Sequence, residues 1–393
     1  VYRIEGPLDV TRLMSLYDLE RPELKDKPLK QTMPDRLKSK KSIFEQIGKH
    51  DVLIHHPYHS YDAVTNFLES AVSDPEVVAI KICLYRTGKN SPIPQMLIKA
   101  VEEGKQVTAL VEIKARFDEE NNIEWAKQLE ESGVHVVYGL IGLKTHCKVT
   151  LVIRNEGDTL RRYVHVATGN YNPTTSRFYT DLGLFTANEE IGTDVIDLFN
   201  YLTGFSRQKK YRRLMVSPVS LRESTIELIR REAAHARAGR AARIVVKINR
   251  LADPELITAF YEASQAGVPV DLIVRGTCML KPGVPGVSET INVRNIVGRF
   301  LEHSRIFYFA NGGDEEVYTG SADWMPRNFD RRVEIIAPVD DPELKRYLVD
   351  EVLGIYLRDN VKARRLLSDG RYERILAAPG EERIDSQEYF IGN

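Results

Sequence analysis

Cysteine is scarce in this chain: Cys83, Cys147 and Cys278 are the only three in 393 residues, far apart and unpaired in pattern. The pattern argues against a disulfide scaffold, and a reducing compartment is the expectation. An excess of one charge is lacking too. The 55 Lys and Arg face 56 Asp and Glu, for a formal net charge of −1. No global basic field therefore gathers nucleic acid or an anionic membrane, and a polyanion must meet a local concentration of cations. No apolar run reaches the length that crosses a bilayer, and no secretory signal opens the chain. A phosphate-binding P-loop is missing as well, because Gly88-Lys89 stands without the rest of that motif. What is present is an ordinary globular balance, 42% hydrophobic and 28% charged, at a length that favours two or three domains over one. The opening residue is Val1 and the pattern is already under way there, which reads as a fragment of a longer protein.

Residues 1–32 end in Glu20-Arg21-Pro22-Glu23-Leu24-Lys25-Asp26-Lys27-Pro28, a composition suited to the tail of a preceding domain or a linker. Strand and helix patterns then alternate. Val52-Leu53-Ile54 precedes a helix with Ser60 as its N-cap, and Val77–Leu84 reads as a buried strand. A helix over Gln95–Glu103 stops at Gly104, the strand Val107–Ile113 follows, and a helix over Ile123–Glu131 stops at Gly133. This alternation predicts an α/β fold with a mostly parallel sheet and helices on its faces.

The pattern recurs in the second half. Ile80-Lys81-Ile82 returns as Val246-Lys247-Ile248, and Lys114-Ala115-Arg116 is matched by Val274-Arg275-Gly276. Histidine-led strands follow, from His146 to Val152 and from His303 to Phe309, each trailed by a Thr-Gly turn (Thr168-Gly169-Asn170; Thr319-Gly320-Ser321-Ala322-Asp323). An acid then enters an apolar strand, Asp181 or Glu334, eleven residues beyond Asn170 and Asp323 respectively. Five ordered matches point to duplication. The basic stretch Arg207–Arg213 lies between the copies, which places similar domains at 33–215 and 216–393 with the boundary near Val216.

His146-x-Lys148 and His303-x-Arg305 would each set an imidazole beside a fixed cation on one face of a strand, where residues i and i+2 project together. An imidazole can attack phosphorus, and the cation offsets charge on the transferring oxygens. Asp181 and Glu334 could each hold one ring nitrogen and fix the tautomer that exposes the other, within a half or across the two halves. Turn amides and small polar groups such as Asn170 would cradle phosphate. A lone H-x-K is usually a solvated pair; its duplication with the same trailing turn favours use.

This arrangement resembles the phospholipase D superfamily, whose motif H-x-K-x4-D is followed by G-S-x-N; Thr319 to Trp324 is close to that turn. Ile153 and Ala310 stand where the motif has aspartates, and Arg305 replaces a lysine, which counts against an ordinary phosphodiesterase. A narrower resemblance fits those departures. Leu84-Tyr85-Arg86-Thr87, Lys114 to Glu119, Lys144 to Lys148, Thr168 to Asn172, Arg177 to Asp181, Val274 to Cys278, His55 to Ser60 and Glu302 to Arg305 are similar to signatures of the polyphosphate kinase family, from residue 1 to beyond 335. The resemblance implies two similar phospholipase D-like α/β domains, with mostly parallel mixed sheets flanked by helices, of a longer protein. It makes His146 the phosphohistidine nucleophile, puts Tyr179, Arg275 and His303 at the ATP site, and assigns Arg86 and Arg116 to the phosphate–magnesium site. Arginine has no lone pair to give a metal, so both are read as phosphate clamps beside Mg²⁺. Lys148 and Arg305 would complete the cations around the phosphates. ATP, ADP and inorganic polyphosphate are the implied partners. Homo-oligomerisation, and a bacterial cytoplasmic location with peripheral membrane association of the full-length protein, are implied with them.

Other features have plainer readings. Pro57 keeps His55, His56 and His59 off a single helix face, which favours a strand-end loop over a zinc site. Cys147 points to the opposite strand face as a small core residue, Arg207–Arg213 reads as a solvated helix end, and the chain after Lys362 as a terminal helix with a partly disordered end. Three functions compete: phosphoryl transfer between ATP and polyphosphate through His146, a phospholipase D-like phosphodiesterase or nuclease reaction, and noncatalytic polyanion binding.

Overall fold

The computed structural model describes the chain apart from residues 1–4, 7, 8, 40, 116, 117, 207 and 393. The first half contributes strands β1 (Val52–His56), β2 (Val77–Leu84), β3 (Gln106–Val111), β4 (His135–Val137), β5 (Lys144–Thr145), β6 (Val149–Glu156), β7 (Thr159–Ala167) and β8 (Tyr179–Thr186). Helices Asp62–Ser73, Ile93–Glu102 and Glu119–Glu131 make the crossovers, and Glu189–Leu202 follows β8. Ser60 works near its expected place, its hydroxyl accepting the Asp62 N–H at 3.1 Å. Gly104 ends its helix with φ +81 and Gly133 with φ +85, a conformation that glycine adopts at little cost. The strand expected to reach Ile113 leaves the sheet after Val111. There the buried Glu112 carboxylate takes up the backbone N–H groups of Lys114 (3.0 Å) and Thr145 (2.8 Å), which turns the chain.

The sheet runs β1-β8-β7-β6-β2-β3-β4. Only β2-β3 and β3-β4 are parallel; the pairs from β1 to β2 are antiparallel. The expected mixed sheet is present, but it is not mostly parallel, since antiparallel pairs outnumber parallel ones. The cause is local: β6 and β7 are joined by Gly157-Asp158, with Gly157 at φ +62, and so short a loop returns the chain alongside itself.

The second half repeats the plan with β9 (Met215–Ser217), β10 (Ile244–Ile248), β11 (Val270–Val274), β12 (Ile291–Ile296), β13 (Leu301–Glu302), β14 (Ile306–Phe309), β15 (Glu316–Gly320) and β16 (Arg332–Pro338). The chain beyond Lys362 adds a hairpin, β17 (Ala363–Leu366) and β18 (Tyr372–Arg374), on the edge at β12, and then the helix Ser386–Gly392. The expected terminal helix is present, and a hairpin joined to the sheet precedes it where the sequence pattern suggested a partly disordered end. Two of the sequence matches slip. Lys114 lies beyond the end of β3 while Val274 is still in β11. The partner of Thr168 is Ser321 and not Thr319: Thr168 exchanges hydrogen bonds with Leu182 as Ser321 does with Ile335.

Two-residue strands stitch the halves together. β13 of the second half pairs with Tyr179–Thr180 of β8, and β5 of the first half pairs with Arg332–Val333 of β16. The pleat then divides each acid-bearing strand between two cores. Leu182 and Leu184 flank Asp181 and Gly183 and join Val245, Ile306 and Tyr308 of the second half. Val333, Ile335 and Ala337 join Leu110, Val149 and Leu198 of the first. Each half thus places apolar residues in the other's interior.

The buried Gln387, on the C-terminal helix, ties down the approach to His303. Its amide nitrogen donates to Glu302 Oε1 (2.6 Å) and the Phe300 carbonyl (2.9 Å), and its oxygen accepts the Phe300 N–H (2.8 Å). Glu302 also receives the buried Lys247 ammonium (2.8 Å) and the Thr180 hydroxyl (2.9 Å). Gln387→Ala leaves three buried groups short of a partner. It should cost about 2–4 kcal/mol, read as a lower denaturant midpoint at unchanged slope; a change within about 0.5 kcal/mol would show the clamp to be idle.

Candidate active site

The histidine motifs do not sit on strands. His146 to Lys148 form a link between β5 and β6, and His303 to Arg305 a matching link between β13 and β14. The N–H groups of His146 and Cys147 both donate to the Val333 carbonyl at 2.9 Å, and the His303 N–H donates to the Thr180 hydroxyl at 3.2 Å. Each histidine is therefore anchored through its backbone to the other half. Each cation folds back on its own histidine: the Lys148 ammonium donates to the His146 carbonyl, and Arg305 Nη1 to the His303 carbonyl at 2.7 Å.

The carboxylates cross. His146 Nδ1 lies 2.9 Å from both oxygens of Glu334, and His303 Nδ1 lies 2.8 and 3.0 Å from those of Asp181. A hydroxyl supports each acid at 2.5 Å, Ser321 for Glu334 and Thr168 for Asp181. The acids are buried, while the His146 and His303 side chains keep 13% and 15% of their surface exposed. One ring nitrogen is held from behind, and an edge reaches solvent. Gly169 makes room for this, since a Cβ there would stand 2.3 Å from Asp181 Oδ2.

Burial pushes the His146 pKa well below its ordinary value, and the charges of Lys148, Arg332 and Arg305 push the same way. Burial raises the Glu334 carboxyl against the pull of Lys148 and Arg332, and it brings the Lys148 ammonium down to about 7. These shifts favour a neutral His146; with its Nδ1–H donated to the Glu334 carboxylate, such a ring would keep a lone pair on Nε2. His303 is likewise lowered by burial, with Asp181 opposing. Burial alone would raise Asp181, but His303, Thr168 and Arg305 outweigh it and hold the carboxyl below the usual range.

The remaining sequence candidates are placed as follows. Tyr179 packs its ring 5.2 Å from that of His303. Arg275 donates through Nε to Asn249 Oδ1 (2.9 Å), and Asn249 bonds the His303 carbonyl and Asp323 at 3.1 Å. Arg305 commits Nε and Nη2 to Asp323 (3.2 Å each) and Nη1 to the carbonyls of Thr168 (3.1 Å) and His303, so four of its five N–H donors are bound within the protein. Arg86 lies over the Tyr85 ring at 5.3 Å, as do Lys148 at 4.7 Å and Lys144 at 5.5 Å, and His146 meets the same ring edge-on at 4.8 Å. Arg116 falls outside the described residues. Asn170 lines a small cavity against Asp181, away from the cations. Magnesium takes oxygen ligands, which Arg86 does not have, and among the described residues no three His, Cys, Asp or Glu side chains gather to hold a metal. The protein side chains described do not form a magnesium cage. His55 is bonded to the Tyr347 hydroxyl (2.9 Å) and His56 to the His59 carbonyl (2.9 Å), roles internal to the fold. Cys147 is buried as expected, but its sulfur lies 3.8 Å from that of Cys83, a proximity that spacing in the sequence hid.

Arg332, Asn249, Asp323 and Glu112 were missed as site residues. Arg332 Nη1 lies 3.4 Å from Glu334. Its position was within reach, since the spacing that carries Asp181 to Glu334 carries Tyr179 to Arg332. Asn249 and Glu112 act only through folded contacts and gave no such signal.

Polyphosphate kinase C-terminal domain 1 matches this chain over residues 42–209, and polyphosphate kinase C-terminal domain 2 over residues 214–387. Curated relatives described as polyphosphate kinase include one from Synechocystis sp., 53% identical and matched over 99% of this chain and 56% of its own length. Another, from Streptomyces coelicolor, is 52% identical over 100% of this chain and 53% of its own. The chain therefore spans about half the length of the curated relatives it matches. The crystal structure of polyphosphate kinase from Porphyromonas gingivalis superposes with a TM-score of 0.89 at 38% identity, covering 97% of this chain and 58% of that one. Phosphatidylserine synthase from Haemophilus influenzae, at 11% identity and a TM-score of 0.53, shares the fold over 80% of this chain. The two halves are similar α/β domains with mixed sheets flanked by helices, as the sequence led us to expect apart from the share of parallel strands.

The crossing can be read out in solution. With histidine side-chain nitrogens labelled, Glu334→Gln should perturb the His146 resonances and leave those of His303 in place, and Asp181→Asn should do the reverse. A response confined to the histidine of the same half would refute the crossed pairs.

Proposed function

The chain belongs to the polyphosphate kinase family, and on that premise we propose that it carries the catalytic half-sites for reversible transfer of the ATP terminal phosphate to inorganic polyphosphate. The observation that carries this reading is the His146–Glu334 contact at 2.9 Å on a neutral, partly exposed imidazole. His146 Nε2 attacks the γ-phosphorus, the nitrogen–phosphorus bond forms as the bond to the β,γ-bridging oxygen breaks, and ADP leaves with that electron pair. The ring becomes positive because its proton stays on Nδ1, and the hydrogen bond from that N–H to the Glu334 carboxylate stabilises the charge. A terminal oxygen of polyphosphate then takes the phosphoryl group and restores the neutral ring. ADP is a good leaving group, so the absence of the motif aspartates at Ile153 and Ala310 fits this chemistry.

The cations divide around this centre. Lys148, Arg86 and Arg332 stand on the His146 side; Tyr179, Arg275 and His303 would receive the nucleotide, with Arg305 holding His303 and Thr168 in place. We assign Arg86 and Arg116 to the phosphates that bring Mg²⁺ with them, and derive no step through the metal. We take residues 33–215 and 216–393 as the two catalytic domains, supported by the entry of β9 into the second sheet at Met215. The family reading brings with it a homo-oligomer and a bacterial cytoplasmic protein whose full-length form associates peripherally with membranes. Among the described residues no helix is long and apolar enough to cross one.

Incubation with ATP labelled at the γ-phosphate should give an acid-labile, base-stable protein phosphate. His146→Ala should abolish both that signal and phosphoryl transfer, whereas His303→Ala should slow phosphorylation severely and leave a detectable signal. A normal phosphoenzyme in the His146 variant would overturn the assignment, and loss of phosphodiester hydrolysis with intact ATP use in the His303 variant would favour the phosphodiesterase instead.

A further inference from the structure

Against Asp181 lies a small cavity of ≈ 10 Å³, with His56, Tyr61, His165, Gly169, Asn170 and Asp181 in its wall and His303 outside it. That is room for about one water. Three polar atoms of this wall are buried without a hydrogen-bond partner in the protein: the Tyr61 hydroxyl, His165 Nε2 and Asn170 Oδ1. Gathering three such atoms in one place is unusual, because buried polar groups are almost always paired.

Their chemistry is selective. Thr150 donates its hydroxyl to the Tyr171 oxygen at 2.8 Å, so the Tyr171 hydroxyl proton goes to His165 Nδ1 at 2.9 Å. Nδ1 is then an acceptor and Nε2 carries the hydrogen. Burial holds the His165 pKa down to about 3, which keeps this ring neutral. The wall therefore offers one donor (His165 Nε2–H), one acceptor (Asn170 Oδ1) and one group that can serve as either (Tyr61). An anion would be repelled by the Asn170 oxygen and the Asp181 carboxylate, and a metal ion could not accept the His165 N–H. A water satisfies all three at once, with the three bonds usual for a buried water.

The place of this site gives it a use. Asn170 follows Gly169, whose backbone packs against the Asp181 carboxylate so closely that a Cβ there would collide with it. Gly183, two residues beyond Asp181, leaves space for His165 Nε2, which a Cβ would approach to 2.5 Å. We propose that Tyr61, His165 and Asn170 bind one ordered water that braces the Gly169–Asn170 turn and Asp181, making them positioning residues for His303. Its effect on catalysis rests on the proposed reaction; the water site itself does not.

Two measurements test this separately. A crystal structure of the chain at a resolution that shows solvent should place one water within hydrogen-bond reach of all three atoms. An empty cavity, or a protein side chain closing it, would overturn the site whatever the enzyme does. Tyr61→Phe then removes one oxygen that has no protein partner, so the fold should be kept. Phosphorylation of His146 by ATP should slow roughly fivefold, the worth of one ordinary hydrogen bond. Discharge of the phosphorylated enzyme to polyphosphate, in which His303 has no leaving nucleotide to attend, should keep its rate. An equal fall in both steps would mark a general loss of structure and end the positioning claim, as would no change in either.

Discussion

A hydrogen bond from the imidazole of one half to a carboxylate of the other occurs twice, and the rest of the molecule is arranged so that both can form. An acid held within hydrogen-bond distance across a domain seam needs that seam fixed to a fraction of an ångström. The two-residue strands β5 and β13 supply this precision, since each is hydrogen-bonded to the residues just before the opposing acid. The interleaved cores, with Leu184 among second-half residues and Ile335 among first-half ones, keep the seam from sliding. Glu112 and Gln387 then hold the short strands from the far side, one at Thr145 and the other at Glu302.

The electrostatics follow from the same enclosure. Burial favours neutral imidazoles, and the cations packed around His146 favour them further. In the proposed reaction a protonated histidine would have no lone pair with which to attack; a neutral one keeps it, and Lys148, Arg86 and Arg332 would supply the attraction for phosphate. The chain's net charge of −1 conceals this completely, because the concentration is local.

Much of this was legible beforehand, and the limits of that reading are instructive. Buried strands such as Val77–Leu84 announced themselves by composition, and glycines 104 and 133 marked helix ends. The equal spacing of Asn170–Asp181 and Asp323–Glu334 singled out the acids before any geometry was known. What one-dimensional spacing could not express was which histidine each acid serves, because local sequence is silent on partners 122 and 188 residues apart. The antiparallel part of the first sheet was not legible because apolar pattern does not give strand direction, which the two-residue turn at Gly157 sets. The tail hairpin β17–β18 was missed because Arg364, Arg365, Glu373 and Arg374 make an edge strand look like a charged end.

The matched positions are no longer alike: Lys148 answers to Arg305, Asp181 to Glu334, Thr168 to Ser321 and Asn170 to Asp323. A single ancestral unit would have had to meet a second copy of itself to complete any site, since each carboxylate serves the neighbour's ring. Fusion into one chain freed the two copies from sharing a sequence, and mutation could then adjust one half-site without altering the other. The crossed seam preserves the geometry of an obligate dimer, while the divergent residues record the moment when inheritance, and no longer symmetry, kept the partners together.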